Sequence, residues 1–217
     1  MFESLQQMQE ICEEKGISFW ELVMQEEVNE KQSTPEEVFD MMQEMYHAMV
    51  LADEGYQQEK SSSGMVGGAG ALMAEWNRNG KTLAGPFLGQ VMERALKMAE
   101  SNACMKRIVA APTAGSCGVL PAVLITYQKE ENCPEKEVVK ALFVSAGIGG
   151  IIASRASIAG AQGGCQAEIG SASAMAAGAL TFLRGGNLQQ IYEAAALALK
   201  GLLGLVCDPV AGLVEVP

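Results

Sequence analysis

Phe2, Leu5, Met8 and Cys12 recur at helical spacing, the first of several apolar stripes along the chain. Ser18 followed by Glu21 spells a capping box, in which each side chain satisfies a free backbone N–H. Thr34-Pro35-Glu36-Glu37 repeats the device with proline at the first helical position. From there Val38, Met41, Met45, Met49 and Ala52 form one stripe, which reads either as core packing or as a Met-rich docking face for a partner. Residues 61–70, Ser-Ser-Ser-Gly-Met-Val-Gly-Gly-Ala-Gly, break the pattern and divide the chain into a helical segment, 1–60, and a body, 61–217. In the body, helices are expected over about 86–101, 118–130, 134–146, 166–183 and 187–203. Alternating β-branched runs are few, and Ala, Leu, Met and Glu dominate, so the fold class is predominantly α with Gly-rich connecting loops. Glycines crowd residues 145–180, where they allow close helix packing or close approach of backbone to a ligand.

Charge sharpens this division. Residues 1–60 carry 15 acidic and 3 basic side chains, a net of −12; the remaining residues carry 11 and 12, a net of +1. An acidic segment beside a nearly neutral body argues against nucleic-acid binding, which needs clustered Lys and Arg. The start lacks the basic and apolar regions of a signal peptide. The uncharged run from Ile108 to Gln128 is interrupted by Pro112, Pro121 and a polar turn, which does not suit a bilayer. A soluble, cytoplasmic protein is therefore expected, with its six cysteines kept as thiols or metal ligands.

Three segments look unlike scaffold. In Ala111-Pro112-Thr113-Ala114-Gly115-Ser116-Cys117-Gly118, a turn with two hydroxyls precedes an apolar helix. It suits an anion such as a carboxylate, and equally suits ordinary helix capping. In Gly163-Gly164-Cys165-Gln166-Ala167-Glu168-Ile169-Gly170-Ser171, two glycines free the backbone before a cysteine at a helix start. A thiol so placed favours the thiolate, the form that binds metal. Glu168 is a lone carboxylate in apolar surroundings: a first-turn helix residue, a ligand's hydrogen-bond partner or a proton carrier. The third segment, Gly204-Leu205-Val206-Cys207-Asp208-Pro209, runs a cysteine from a helix end into a turn. Cys165 and Cys207 are two candidate ligands, and spacing alone leaves a metal site unproven. The serine-rich run at 61–70 lacks the Lys of a phosphate loop and reads as a flexible or a substrate-facing loop. No Gly-x-Ser-x-Gly elbow exists, and the single histidine, His47, sits in the acidic Met-rich helix.

Together these three segments resemble the alpha subunit of bacterial iron–sulfur L-serine dehydratase. The third continues the likeness as Val210-Ala211-Gly212-Leu213-Val214-Glu215-Val216-Pro217. Gly80-Lys81-Thr82-Leu83-Ala84-Gly85-Pro86 and Ser63-Gly64-Met65-Val66-Gly67-Gly68 match the same family. The resemblance implies a helical domain built around a [4Fe-4S] cluster held by three cysteines. Cys165 and Cys207 match two of them, and the third is expected directly after Pro217, so the chain resembles a C-terminally truncated subunit. It also implies elimination of water from L-serine, giving pyruvate and ammonia without a pyridoxal lysine, and a beta subunit as partner. Thr113, Gly115 and Ser116 are then expected to hold the substrate carboxylate, Lys81 and Glu168 are candidates for the base, and Cys117 is expected to be structural. A non-catalytic helical partner module and an iron–sulfur sensor or electron carrier are the competing readings.

Overall fold

A computed structural model describes residue 2 and residues 4–205. Those residues form helices and connecting turns, with no strand among them. Three helices make up the acidic segment: α1 (Leu5–Lys15), α2 (Phe19–Lys31) and α3 (Pro35–Glu54). Both expected capping boxes are present. Glu21 accepts from the Ser18 backbone N–H at 2.8 Å, and Glu37 accepts from that of Thr34 at 2.8 Å. The stripe on α3 divides: Val38 and Met49 are buried, whereas Met41 and Met45 stay exposed.

The body contains α4 (Ala69–Arg78), α5 (Gly85–Ala103), α6 (Val119–Glu130), α7 (Glu135–Arg155), α8 (Gly160–Cys165), α9 (Ser171–Leu183) and α10 (Leu188–Gly201). A short 3₁₀ turn, Ala114–Ser116, precedes α6, and a π turn, Gln166–Gly170, joins α8 to α9. Helix α4 was not expected. Its Leu72 and Trp76 point to solvent, Trp76 being 53% exposed, so it carries no apolar stripe of core type. Helix α7 runs nine residues past the expected end at 146, through Gly147, Gly149 and Gly150. The first two glycines are packing devices: a methyl group at Gly147 would lie 2.6 Å from Val23, and one at Gly149 would lie 2.9 Å from the Met175 sulfur. Removing these side chains lets α7 approach both α2 and α9.

Among the described residues one hydrophobic core runs from Met8 to Ala195. It joins Met8, Phe19, Leu22, Tyr46 and Met49 of the acidic segment to Leu124, Val139, Phe143, Ile148, Ala176 and Ile191 of the body. By length and composition α7 is apolar enough to cross a membrane, but half of its apolar window is buried inside this fold, as in a central core helix. Buried polar links fix the arrangement. The Tyr46 hydroxyl donates to Gln128 at 2.6 Å, and Arg94 pairs with the buried carboxylate of Asp53.

The segment between α3 and α4 is fastened by Glu100 of α5, which is 3% exposed. Its carboxylate accepts from the Tyr56 hydroxyl at 2.6 Å and from the backbone N–H groups of Ala69 and Gly70 at 2.5 and 3.2 Å. These are the free donors at the start of α4, and a buried anion there is matched to that helix end.

Candidate functional site

Three Gly-rich segments gather around the C-terminal end of α5. The first is the loop at 56–68, held from one side by Glu100 and from the other by Lys106, whose ammonium lies 3.1 Å from Glu59. Next comes the Thr113 turn. The Asn102 side chain, one residue before the end of α5, donates to the Ala114 carbonyl at 3.1 Å. Third is the α8–π-turn segment, whose Glu168 carboxylate lies over Gly115. Asn102 had no distinguishing signal in the sequence, because nothing near it marks a helix end aimed at a turn.

Within the Thr113 turn the hydroxyls have separate roles. Ser116 is 1% exposed, and its Oγ lies 3.1 Å from Thr113 Oγ1 and 3.3 Å from the Thr113 carbonyl it donates to. It therefore braces the turn from inside. Thr113 is half-buried and Gly115 exposed, so these two form the accessible surface. Gly118 opens α6 where a methyl group would lie 2.7 Å from the Ala95 carbonyl, which brings the turn tightly against α5. Cys117 next door is buried, its Sγ 3.8 Å from the Met98 carbonyl, and burial pushes its thiol up to about 11. That environment disfavours the thiolate and gives Cys117 a packing role.

Cys165 closes α8 and is half-buried. Gly164 before it has φ 63° and ψ −160°, a backbone conformation open essentially to glycine alone. The break falls inside Gly160–Cys165 and leaves Cys165, itself helical at φ −62° and ψ −24°, at the start of the run that continues through the π turn into α9. Gln166, beside it, donates to the Leu199 carbonyl at 3.4 Å and leaves its buried amide oxygen without a hydrogen bond. Cys207 lies outside the described residues, and among the described residues no three His, Cys, Asp or Glu side chains converge as a metal site. The donor chemistry of Cys165, a soft sulfur in a glycine-lined turn, suits an iron–sulfur cluster better than a hard cation.

Glu168 is half-buried, its carboxylate wedged between the backbones of Gly115 and Gly160. The two candidates for a base are thus far apart. Glu168 faces the Thr113 turn, whereas Lys81 is exposed in the α4–α5 connection, at the opposite end of α5. From Gly85 to Asn102 the helix rises about 26 Å, so Lys81 does not share this junction. His47 is also remote from it, 2.9 Å from Glu135 at the start of α7.

The sequence profile described as "Serine dehydratase alpha chain" matches residues 14–217. Among curated proteins, the "Probable L-serine dehydratase, alpha chain" of Bacillus subtilis is 40% identical over the whole chain, which covers 73% of that protein. The "L-serine dehydratase, alpha chain" of Peptoniphilus asaccharolyticus is 39% identical, again over the whole chain and 75% of the relative. "L-serine dehydratase 2" of Escherichia coli is 35% identical, and the chain spans 49% of its length.

Proposed function

The chain belongs to the serine dehydratase alpha chain family, and from this premise we propose that it acts as the alpha chain of an L-serine dehydratase, an ammonia lyase. The observation that carries this reading is the meeting of the Thr113 turn with the Cys165–Glu168 segment at the end of α5. A turn able to receive a carboxylate is thereby set beside a thiol able to hold a cluster.

Cys165, with Cys207 and the third cysteine that the resemblance implies after Pro217, would hold a [4Fe-4S] cluster. When bound, such a cluster supplies Lewis acidity toward the hydroxyl of serine. The rest falls to the chain's own groups. Thr113 and the exposed backbone at Gly115 receive the substrate carboxylate, and Ser116 keeps that turn in shape from behind. Glu168 lies on the same side as this turn, while Lys81 does not, which leaves Glu168 the better placed of the two to meet substrate. Loss of the Cα proton and of the hydroxyl as water gives aminoacrylate, which tautomerises and hydrolyses to pyruvate and ammonia. The relatives' designation as alpha chains supports a companion beta chain that completes the site. A cytoplasmic location agrees with thiols kept reduced.

The test is to purify the chain anaerobically with its companion, verify the iron content and measure pyruvate from L-serine. Pyruvate formation that disappears with the iron is expected. A preparation with an intact cluster and no activity sinks the dehydratase reading in favour of a sensor or a partner module.

A further inference from the structure

Resting on the serine-dehydrating reading, we propose that the Glu168 carboxylate, set between Gly115 and Gly160, is the subsite for the protonated α-amine of the substrate. A methyl group at Gly115 would stand 2.7 and 2.9 Å from the two carboxylate oxygens of Glu168. At Gly160 the added carbon would press on one of those oxygens even more closely. The carboxylate therefore occupies space that exists only because both residues lack side chains. It is held by shape: among the described residues no hydrogen bond or ion pair reaches its oxygens. A half-buried carboxylate with no ion pair among the described residues is the electrostatic complement of a cationic ligand.

The position of that anion identifies the class of ligand. An α-amino acid carries its ammonium and its carboxylate on groups bonded to one carbon, so their two receptors have to be neighbours. Gly115 supplies the common wall. Its turn offers exposed backbone at Ala114 and Gly115, beside the half-buried Thr113 hydroxyl that Ser116 Oγ meets at 3.1 Å, and Gly115 lies against Glu168. A molecule with only the carboxylate would fill one half of the site, and one with the ammonium as well would fill both. Glu168 thereby selects amino acids over hydroxy acids or simple carboxylates, through binding and not through proton transfer.

The holoenzyme, with its companion chain and cluster, tests this through Glu168→Gln, which keeps the shape and removes the charge. Measured quantities are kcat and KM for L-serine and Ki for 3-hydroxypropionate, which is serine without its amine. Loss of a charge-assisted contact is expected to raise KM by about tenfold to a hundredfold. The change should fall on KM and leave Ki for 3-hydroxypropionate where it was. A collapse of kcat at unchanged KM would instead make Glu168 the base, and an equal rise of KM and Ki would make its role structural; either result overturns the proposal. Should Glu168→Gln fail to assemble, the wild-type enzyme decides. L-alanine must then inhibit at least about tenfold more tightly than propionate, by the same charge-assisted contact, and equal inhibition overturns the proposal. A wild-type enzyme that makes pyruvate while E168Q keeps its KM defeats the amine subsite alone. A wild-type holoenzyme that makes none defeats the underlying function as well.

Discussion

Gly164 and the cysteine that follows it show how one backbone angle is tied to the proposed cluster chemistry. With φ 63° and ψ −160°, residue 164 occupies a region that costs other residues about 1–3 kcal/mol. Gly164→Ala should therefore weaken the fold by an amount in that range and turn Cys165 away from its present direction. Chemical denaturation would read the first effect, and iron bound per chain after anaerobic reconstitution with the companion would read the second. Normal iron loading in this variant would show that the angle at 164 is incidental. The thiols themselves should separate in the same assay. Cys165→Ser should abolish cluster absorbance, whereas Cys117→Ser should retain it, since Cys117 is buried against Met98 with its thiol pushed up to about 11. Equal losses would refute the ligand assignment. At this scale the sequence was informative about which residues were unusual and poor about what each does. Thr113 and Ser116 read alike as hydroxyls, but only their surroundings make one accessible and the other an internal brace.

Helix starts were legible because they rest on local hydrogen bonds. In α2 the Ser18 hydroxyl, and after it the Ser18 backbone N–H, hold the Glu21 carboxyl below its ordinary range. A carboxyl whose folded value is depressed stabilises the protein above its unfolded value, about 4.3, and loses that contribution as pH falls through the folded value. Glu21→Gln should thus be less stable than wild type at neutral pH, by a difference that shrinks toward about pH 3, below that unfolded value. Urea midpoints at the two pH values check this, and a constant difference between them would rule out the ionised carboxyl as the cause. What the sequence hid depends on contacts made across long distances in the chain. The sequence ends α7 near 146, because Gly147 and Gly149 are poor helix formers, while the close helix packing expected of the glycines at 145–180 is what both residues provide. Helix α4 was missed because its outward face is apolar and it is fastened at its start by a glutamate more than twenty positions away. Glu100→Ala would strip the Tyr56 hydroxyl and two backbone N–H groups of their acceptor. A loss of about 3 kcal/mol is expected, with faster hydrogen exchange at Ala69 and Gly70. Unchanged protection at those amides would show that α4 is held by its packing on α5 alone.

For the whole molecule, the break in composition near residue 60 marks a change of charge, whereas the core runs across it. Phe19 meets Tyr192 of α10 edge to face with ring centroids 5.7 Å apart, and Phe39 of α3 lies 6.1 Å from Phe143 of α7. Lys140 of α7 lies over the Trp20 ring of α2, its ammonium 5.3 Å from the centroid. An acidic segment that only decorated the body would leave those partners covered by other residues, and none of these three contacts exists without α2 and α3. Unfolding is therefore expected to be one cooperative event. Far-UV ellipticity should report all the helices and, in a Trp76→Phe background that leaves Trp20, tryptophan fluorescence the α2 interface, and the two should trace the same transition. Phe143→Ala removes a buried ring from the centre of that shared core and should cost about 3–5 kcal/mol, moving both signals together. A fluorescence change that precedes the loss of most of the ellipticity would mean that the first three helices detach before the body melts. The site would then survive their loss, because its three segments meet at the end of α5 and take no side chain from α1, α2 or α3. Coincident transitions would instead make the geometry at Cys165 and Glu168 depend on packing that begins with Met8, which ties the chemistry proposed for one end of α5 to the integrity of the entire core.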